Sequence, residues 1–536
     1  MKLKHIFAMT AVAASLTLAG CGGDINITPT SIDNSVDNST NNSNNSSTTN
    51  PGTGSDTLEC ASYEKDGATV EGTVEGNNCI YDKDFVSAAS PILTDLTLEA
   101  LPNGGVHYFE KTLMIGESCH TTNDNCTIEL DGPTLTIEAG TTIVFDDASS
   151  RVQINRGANI EAIGTYSDPI IFTSANAIDS LKVKAPEPQD WGGIMIDGLA
   201  RTDQCTDDER TAGTCNAETE GAVTYYGGND DTDDSGTLKF VKIHYAGGLP
   251  AGAQEGNDLN SLTLAAVGSG TTIEYIDIYA GYDDGIELFG GTVNLKYITV
   301  TDTQDDSIDI DAGWQGNAQF IFIKHGTVKN DAGQDINMGN GGFESDGVKV
   351  SGTSVPASAP KIANVTVITT DELSVRDNGA SIAVKLDDSI SATWYNTVLI
   401  KTAANNTYCI DYKDDASDQI VNNEVSFENS VAACAKLNDD GADVVTAKAD
   451  GTTTVALATW FENGGSNELL NSDAAILTGF ATLPKADADY TIDAKDMSTE
   501  DAFFTATDFI GAISSTDTSS DWYDWVKDAY TNADDE

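Results

Sequence analysis

Basic residues are scarce in this chain: 27 lysines and arginines stand against 85 aspartates and glutamates, leaving a formal charge of −58. That imbalance excludes ordinary nucleic-acid binding, which needs cationic side chains to displace counterions from phosphates. It favours cations as partners, and it suits a surface that stays solvated at high ionic strength. Cys-x-x-Cys spacing is missing, and the five histidines, His5, His107, His120, His244 and His325, form no ligand motif. A zinc centre is excluded on those grounds. The apolar run from Ile6 to Leu18 is too short for a permanent membrane span, and with Met1-Lys2-Leu3-Lys4-His5 before it, it reads as a signal peptide.

The run ends in Leu18-Ala19-Gly20-Cys21, which resembles the bacterial lipobox. The resemblance implies cleavage after residue 20 and a diacylglyceryl group on the Cys21 thiol. Gly22-Gly23-Asp24 follows, with no aspartate directly behind the cysteine, which in that family points to the outer membrane. Buried acyl chains hold such a protein through about 0.8 kcal/mol per methylene.

Nine cysteines are present, and setting Cys21 aside leaves eight. They fall into close pairs, Cys60 with Cys79, Cys119 with Cys126, Cys205 with Cys215, and Cys409 with Cys434, as an exported protein with disulfides would have them. Sequence leaves the connectivity open, but nearest-neighbour pairing fits a solenoid in which each bridge staples a local insertion. Residues 21–57 are dominated by Asn, Ser and Thr and bury too little apolar surface to order themselves, so they read as a tether. Residues 58–131 read as an N-terminal cap, 132–450 as the repetitive body, and 451–536, with Trp460, Trp522 and Trp525, as a C-terminal cap.

The body carries strand, turn, strand patterning from Gly132-Pro133-Thr134-Leu135 onward. Two blocks recur at one offset of 22 residues: Ile273-Glu274-Tyr275-Ile276 over Leu295-Lys296-Tyr297-Ile298, and Asp283-Asp284-Gly285-Ile286 over Asp305-Asp306-Ser307-Ile308. A short period without helical patterning between strands predicts an all-β fold, a right-handed parallel β-helix. Stacked coils repeat every ~4.8 Å, so equivalent residues form ladders. Phe240, Tyr275, Tyr297 and Phe320 are expected as an aromatic stack in the core. Asn364, Asn396 and Asn429 are expected as a ladder whose amides satisfy one another.

Gly157-Ala158-Asn159-Ile160-Glu161-Ala162, Asp190-Trp191-Gly192-Gly193-Ile194 and Asp284-Gly285-Ile286-Glu287-Leu288-Phe289-Gly290-Gly291 resemble segments of exported bacterial β-helix lipoproteins. The resemblance covers nearly everything after the tether and implies fold and export, without an activity.

A third ladder is acidic. Aligning Ile286, Ile308 and Phe343 brings Glu287, Asp309 and Glu344 into one column, with Asp311 and Asp346 nearby. Like charges at rung spacing raise one another's pKa, bind a cation or fan into water. Calcium, which takes six to eight oxygen ligands, is the expected ion, held by Glu287, Asp309, Asp311, Glu344 and Asp346. A second acidic loop, Asp230, Asp231, Asp233 and Asp234, lacks EF-hand spacing and reads as solvated.

Asp284-Gly285 followed by Gln304-Asp305-Asp306 is similar to the paired motifs of polygalacturonase-type glycoside hydrolases. That resemblance implies that Asp284 and Asp305 activate water and that Asp306 is the general acid. The sequence departs from the family at Tyr282-Asp283, at Lys324-His325-Gly326 and at Lys349, which alone remains of a basic pair. A polysaccharide lyase would need calcium and an Arg or Lys base, and none of Arg151, Arg156, Arg201, Arg210 and Arg376 falls in the ladder. The leading expectation is a non-enzymatic, lipid-anchored envelope protein whose calcium-bound acidic face engages a polysaccharide or an envelope protein. The alternatives are a carbohydrate-active enzyme and an accessory lipoprotein of an outer-membrane transporter.

Overall fold

The computed structural model describes residues 58–536, apart from 124–125, 222, 251–256, 377, 402–407, 435, 439–443, 471–479, 481–491, 515 and 536. The expected signal peptide, Cys21 and tether lie outside the described residues. Among the described residues no helix is long and apolar enough to cross a membrane.

Short strands stack in parallel with their equivalents one coil on, which makes the body a parallel β-helix. One nine-stranded sheet, here the front sheet, includes Val152–Ile154, Ile194–Asp197, Leu262–Ala265, Ile286–Phe289, Asp306–Asp311, Gly341–Ser345 and Ile382–Leu386. Alternation along each strand sends one set of side chains inward. Val152, Ile194, Leu262, Ile286, Ile308, Phe343, Val384 and Ile410 form one continuous buried column. Burying each such side chain contributes about 1.5–3 kcal/mol, so the apolar column fixes the register of everything on the outer face. The offset of 22 residues is realised, with Ile273 beside Leu295 and Ile286 beside Ile308.

Parallel pairing extends past the periodic stretch in both directions. It already joins Cys79 to His107 and Leu96 to Leu135, and it continues to Val431 beside Glu468. Tyr63, Tyr81, Phe85 and Phe109 pack ring on ring at the first end, next to the Cys60–Cys79 disulfide. The other three bridges join Cys119 to Cys126, Cys205 to Cys215, and Cys409 to Cys434, so all four follow nearest-neighbour pairing. At the far end Trp460 and Phe461, on the helix Leu457–Asn463, cover Phe427.

Two ladders differ from expectation. Phe240, Tyr275, Tyr297 and Phe320 do stack, with centroids 4.1, 4.4 and 4.9 Å apart, but outside the main core. They occupy a bend in the long strands where the backbone is left-handed, with φ of 52°, 53°, 62° and 62°. A residue there turns its side chain away from the interior. Asn364, Asn396 and Asn429 continue the same bend at φ 54°, 50° and 52°, a conformation asparagine tolerates. Their amides do not pair with one another: Asn364 donates to the carbonyl of Phe509, Asn396 to Lys495 and Asn429 to Asp493. The amides therefore fasten a returning segment along the flank. The helix Asp521–Asp535 follows, and its Trp522 and Trp525 lie on the aromatic stack rather than over an open end.

Candidate functional site

Outward-facing residues of the front sheet form columns with the register of the apolar ladder beneath. Thr263, Glu287, Asp309, Glu344, Lys385 and Asp411 make one; Phe289, Asp311, Asp346 and Asp387 make the next. Glu287, Asp309 and Glu344 share one column, as the sequence predicts, but they do not share one chemical environment.

Glu344 is tied to Lys385 at 3.0 Å, and the same ammonium holds Asp306 at 2.9 Å. Burial pushes the Glu344 carboxyl up, yet its hydrogen bond with Asp306 and the charge of Lys385 outweigh this and leave it at about 2. Asp311 and Asp346 share Lys349 instead. Burial raises Asp311 to about 7 and Asp346 to about 6 even so. Asp283 and Asp305, with buried Asp258, surround Arg376 at 2.8, 3.0 and 2.8 Å. Arg376 arrives from a loop over the sheet, where the Ser374 hydroxyl donates to the Gln304 carbonyl and the Val375 amide to Asn337. Its guanidinium also lies 5.5 Å from the Tyr282 ring centroid. The five expected ligands are thus divided among several partners, and an arginine does reach the acidic face.

What remains between the cations is a group of three: the carboxylate oxygens of Asp284, Glu287 and Asp309 lie within 4.8 Å of one another. Burial raises all three well above the usual carboxylate range, and neighbouring carboxylates push further, Asp283 on Asp284, Glu220 on Glu287 and Glu344 on Asp309. Asn260 orders the group: its amide nitrogen donates to Glu287, and its oxygen accepts the Asp284 backbone N–H at 3.2 Å. One oxygen of Asp309 is buried without a hydrogen-bond partner. Oxygens about 2.4 Å from a common calcium ion stand at most about 4.8 Å apart, so the spacing and the orphaned oxygen fit a hard divalent cation. Sequence reasoning found Glu287 and Asp309 by register and placed Asp284 in another role. Lys385 was readable, because Ile382-Ala383-Val384-Lys385 repeats the phase of Phe343-Glu344. Arg376 sits in an aperiodic loop and gave no such signal.

The three hydrolase candidates come close together, each already engaged by other groups. Oxygens of Asp284 and Asp305, the two expected to activate water, lie within 4.8 Å of each other. Asp305 is held by Arg376; Asp306 is 3% exposed, held by Lys385, and donates its backbone N–H to Asp284. His325 is buried between the hydroxyls of Ser307 and Ser381, and burial lowers it to about 3. It touches none of the three aspartates. Arg156 donates to the carbonyls of Cys119, Cys215 and Gly227, and Arg201 and Arg210 pair with Asp231 and Asp207. Arg151, on the wall of the cleft, donates to Gln153, and burial lowers it to about 10. The second acidic loop is only partly solvated, since Asp231 binds Arg201 and Asp233 accepts the Leu199 N–H.

A cleft of about 1060 Å³ adjoins the triad, lined by Arg151, Glu220, Tyr226, Phe289, Asp311 and Lys349. A stack of parallel coils with a carboxylate-rich outer face defines a parallel β-helix protein. The chain belongs to the pectate-lyase-like β-helix domain family, whose model matches residues 106–469. No curated protein and no solved structure matches it.

Proposed function

We propose that the protein is a lipid-anchored envelope component whose front sheet binds one calcium ion at Asp284, Glu287 and Asp309 and holds a saccharide in the adjoining cleft. The observation that carries this reading is the triad itself: three converging carboxylates with no lysine or arginine in ion-pair contact among the described residues, whereas Asp283, Asp305, Asp306, Asp311, Glu344 and Asp346 beside them each have one. Leaving them unneutralised is costly, and a cation removes the cost. Family membership supports carbohydrate as the partner class, and the cleft offers the aromatic and polar lining that a sugar chain needs.

Binding is favoured over catalysis by the state of the two bases set among the front-sheet carboxylates, Arg376 and Lys385. A lyase needs a basic side chain that can give up its proton. Burial alone would help Arg376 and Lys385 do so, but Asp283, Asp305 and Asp258 around the first, and Asp306 and Glu344 around the second, hold both charged above their usual range.

Calcium titrated calorimetrically into metal-free protein is expected to give one site, with affinity rising from pH 5 to pH 8 as the ligands shed protons. A flat titration rejects the ion. A glycan array with and without chelator is expected to show calcium-dependent retention without released reducing or unsaturated ends. Cleavage products would move the protein to the enzymes. Cys21→Ala is expected to release the chain from the membrane fraction, and retention there would refute the anchor.

A further inference from the structure

We propose that the flank opposite in chemistry to the acidic triad carries a second binding site, for an uncharged sugar, between the aromatic stack and the returning segment 505–523. A cavity of about 610 Å³ opens there against Tyr275, Tyr297, Phe320 and Trp522. That volume is in the range of small-ligand pockets, ~300–1000 Å³.

The aromatic rings are placed at a cost. Asparagine takes the left-handed bend comfortably at 364, 396 and 429, whereas a bulky residue in that region costs about 1 kcal/mol or more. Phe240, Tyr275, Tyr297 and Phe320 accept this strain on successive coils, at the rungs the returning segment covers. Packing against Trp525 accounts for Phe240 and Tyr275. Tyr297 and Phe320 lie further along, touching Trp522 at 5.5 Å and Phe509 at 6.4 Å, and all four rings form one wall of the cavity. The Trp522 indole N–H is already used on the Ala512 carbonyl at 2.8 Å, so that wall is fixed in place.

The lining selects the ligand. Three carboxylates, Asp496, Asp508 and Asp517, line the cavity, and the lysine beside it, Lys296, is spent on the Phe503 carbonyl and the Thr505 hydroxyl, which disfavours an anion. Five serines and threonines, with Thr505 and Thr507 among them, exclude a purely apolar guest, whose entry would strip them of water. An organic cation needs free ring faces, but the ladder rings stack on one another, and the Lys239 and Lys296 ammoniums already stand 5.8 Å from the Tyr275 and Tyr297 centroids. Ring edges offer C–H groups to oxygen lone pairs, and carboxylates accept hydroxyl protons. A neutral sugar supplies both.

The experiment is calorimetry on the full chain in chelator, using neutral hexasaccharides of glucose, xylose and mannose, with polygalacturonate and tetramethylammonium as the contrasting probes. The expected result is saturable binding of a neutral hexasaccharide only, weakened roughly tenfold by Tyr297→Ala and severalfold by Asp508→Asn, a variant too conservative to disturb the fold. Glu287→Gln with Asp309→Asn is expected to leave this binding intact, which separates it from the calcium site. No binding of any neutral hexasaccharide, preference for either charged probe, or full affinity in Asp508→Asn and Tyr297→Ala together would overturn the proposal.

Discussion

Chelator is expected to lower the melting temperature of the wild-type protein and to leave that of a Glu287→Gln, Asp309→Asn double variant unchanged. The wild-type effect follows from linkage: an ion at a hundredfold excess over its Kd stabilises the fold by about 2.7 kcal/mol. In the variant, two of the three converging charges are gone, so there is little left to bind an ion and little repulsion left to relieve. Without calcium, the variant is therefore expected to be more stable than the wild type. The pH dependence has a definite sign. All three carboxyls are raised by burial and by like charge, so their protonated forms suit the fold. In chelator, the triad's contribution to stability is full below about pH 4, where unfolded carboxylates are protonated too, and declines as pH rises toward the raised folded values. Calcium is expected to flatten that decline. Thermal melts from pH 4 to pH 8 with and without the ion check it, and equal chelator sensitivity in both proteins would sink the assignment.

Arg376→Gln is expected to cost about 3–5 kcal/mol in chelator, the usual penalty for removing one partner of a largely buried ionic cluster. Arg376 is the cation among Asp258, Asp283 and Asp305, and Asp258 is 3% exposed. Its loss strands three carboxylates next to the triad. Two of them, Asp283 and Asp305, form with Asp284 a second group whose oxygens lie within 4.8 Å. Millimolar calcium is expected to recover part of the lost stability by taking the place of the guanidinium. Denaturant unfolding in chelator and in calcium measures both quantities; a loss under about 1 kcal/mol would show that the cluster is solvated and weak.

Most of the architecture was legible because it rests on repetition. The match of Ile273 with Leu295 and Ile286 with Ile308 sets the coil length, and the coil length sets the column of Glu287, Asp309 and Glu344. Register predicts adjacency but not counter-charge. Which carboxylates stay unneutralised depends on Arg376 and Lys349, both from loops between coils where no period operates. The aromatic stack misled for a related reason: a large apolar side chain in a strand reads as core, and the left-handed bend that turns Tyr275 and Tyr297 outward leaves no mark in a hydropathy pattern. The asparagines carry the more faithful sign of that bend, since Asn364, Asn396 and Asn429 occupy it at low strain. Their partners, the carbonyls of Asp493, Lys495 and Phe509, lie too far along the chain to be paired by inspection.

That returning segment changes how the molecule comes apart and comes together. A stack of coils has only neighbour-to-neighbour contacts and could fray from either end. Here the hydroxyl of Tyr166 donates to Asp528 at 3.1 Å, across 362 residues of chain, and Trp525 reaches Phe240. Early and late coils are buckled together by one belt. During synthesis the first coils emerge long before the belt does, so the Phe240–Phe320 strip stays bare, and exposed to chaperones, until the final turns arrive.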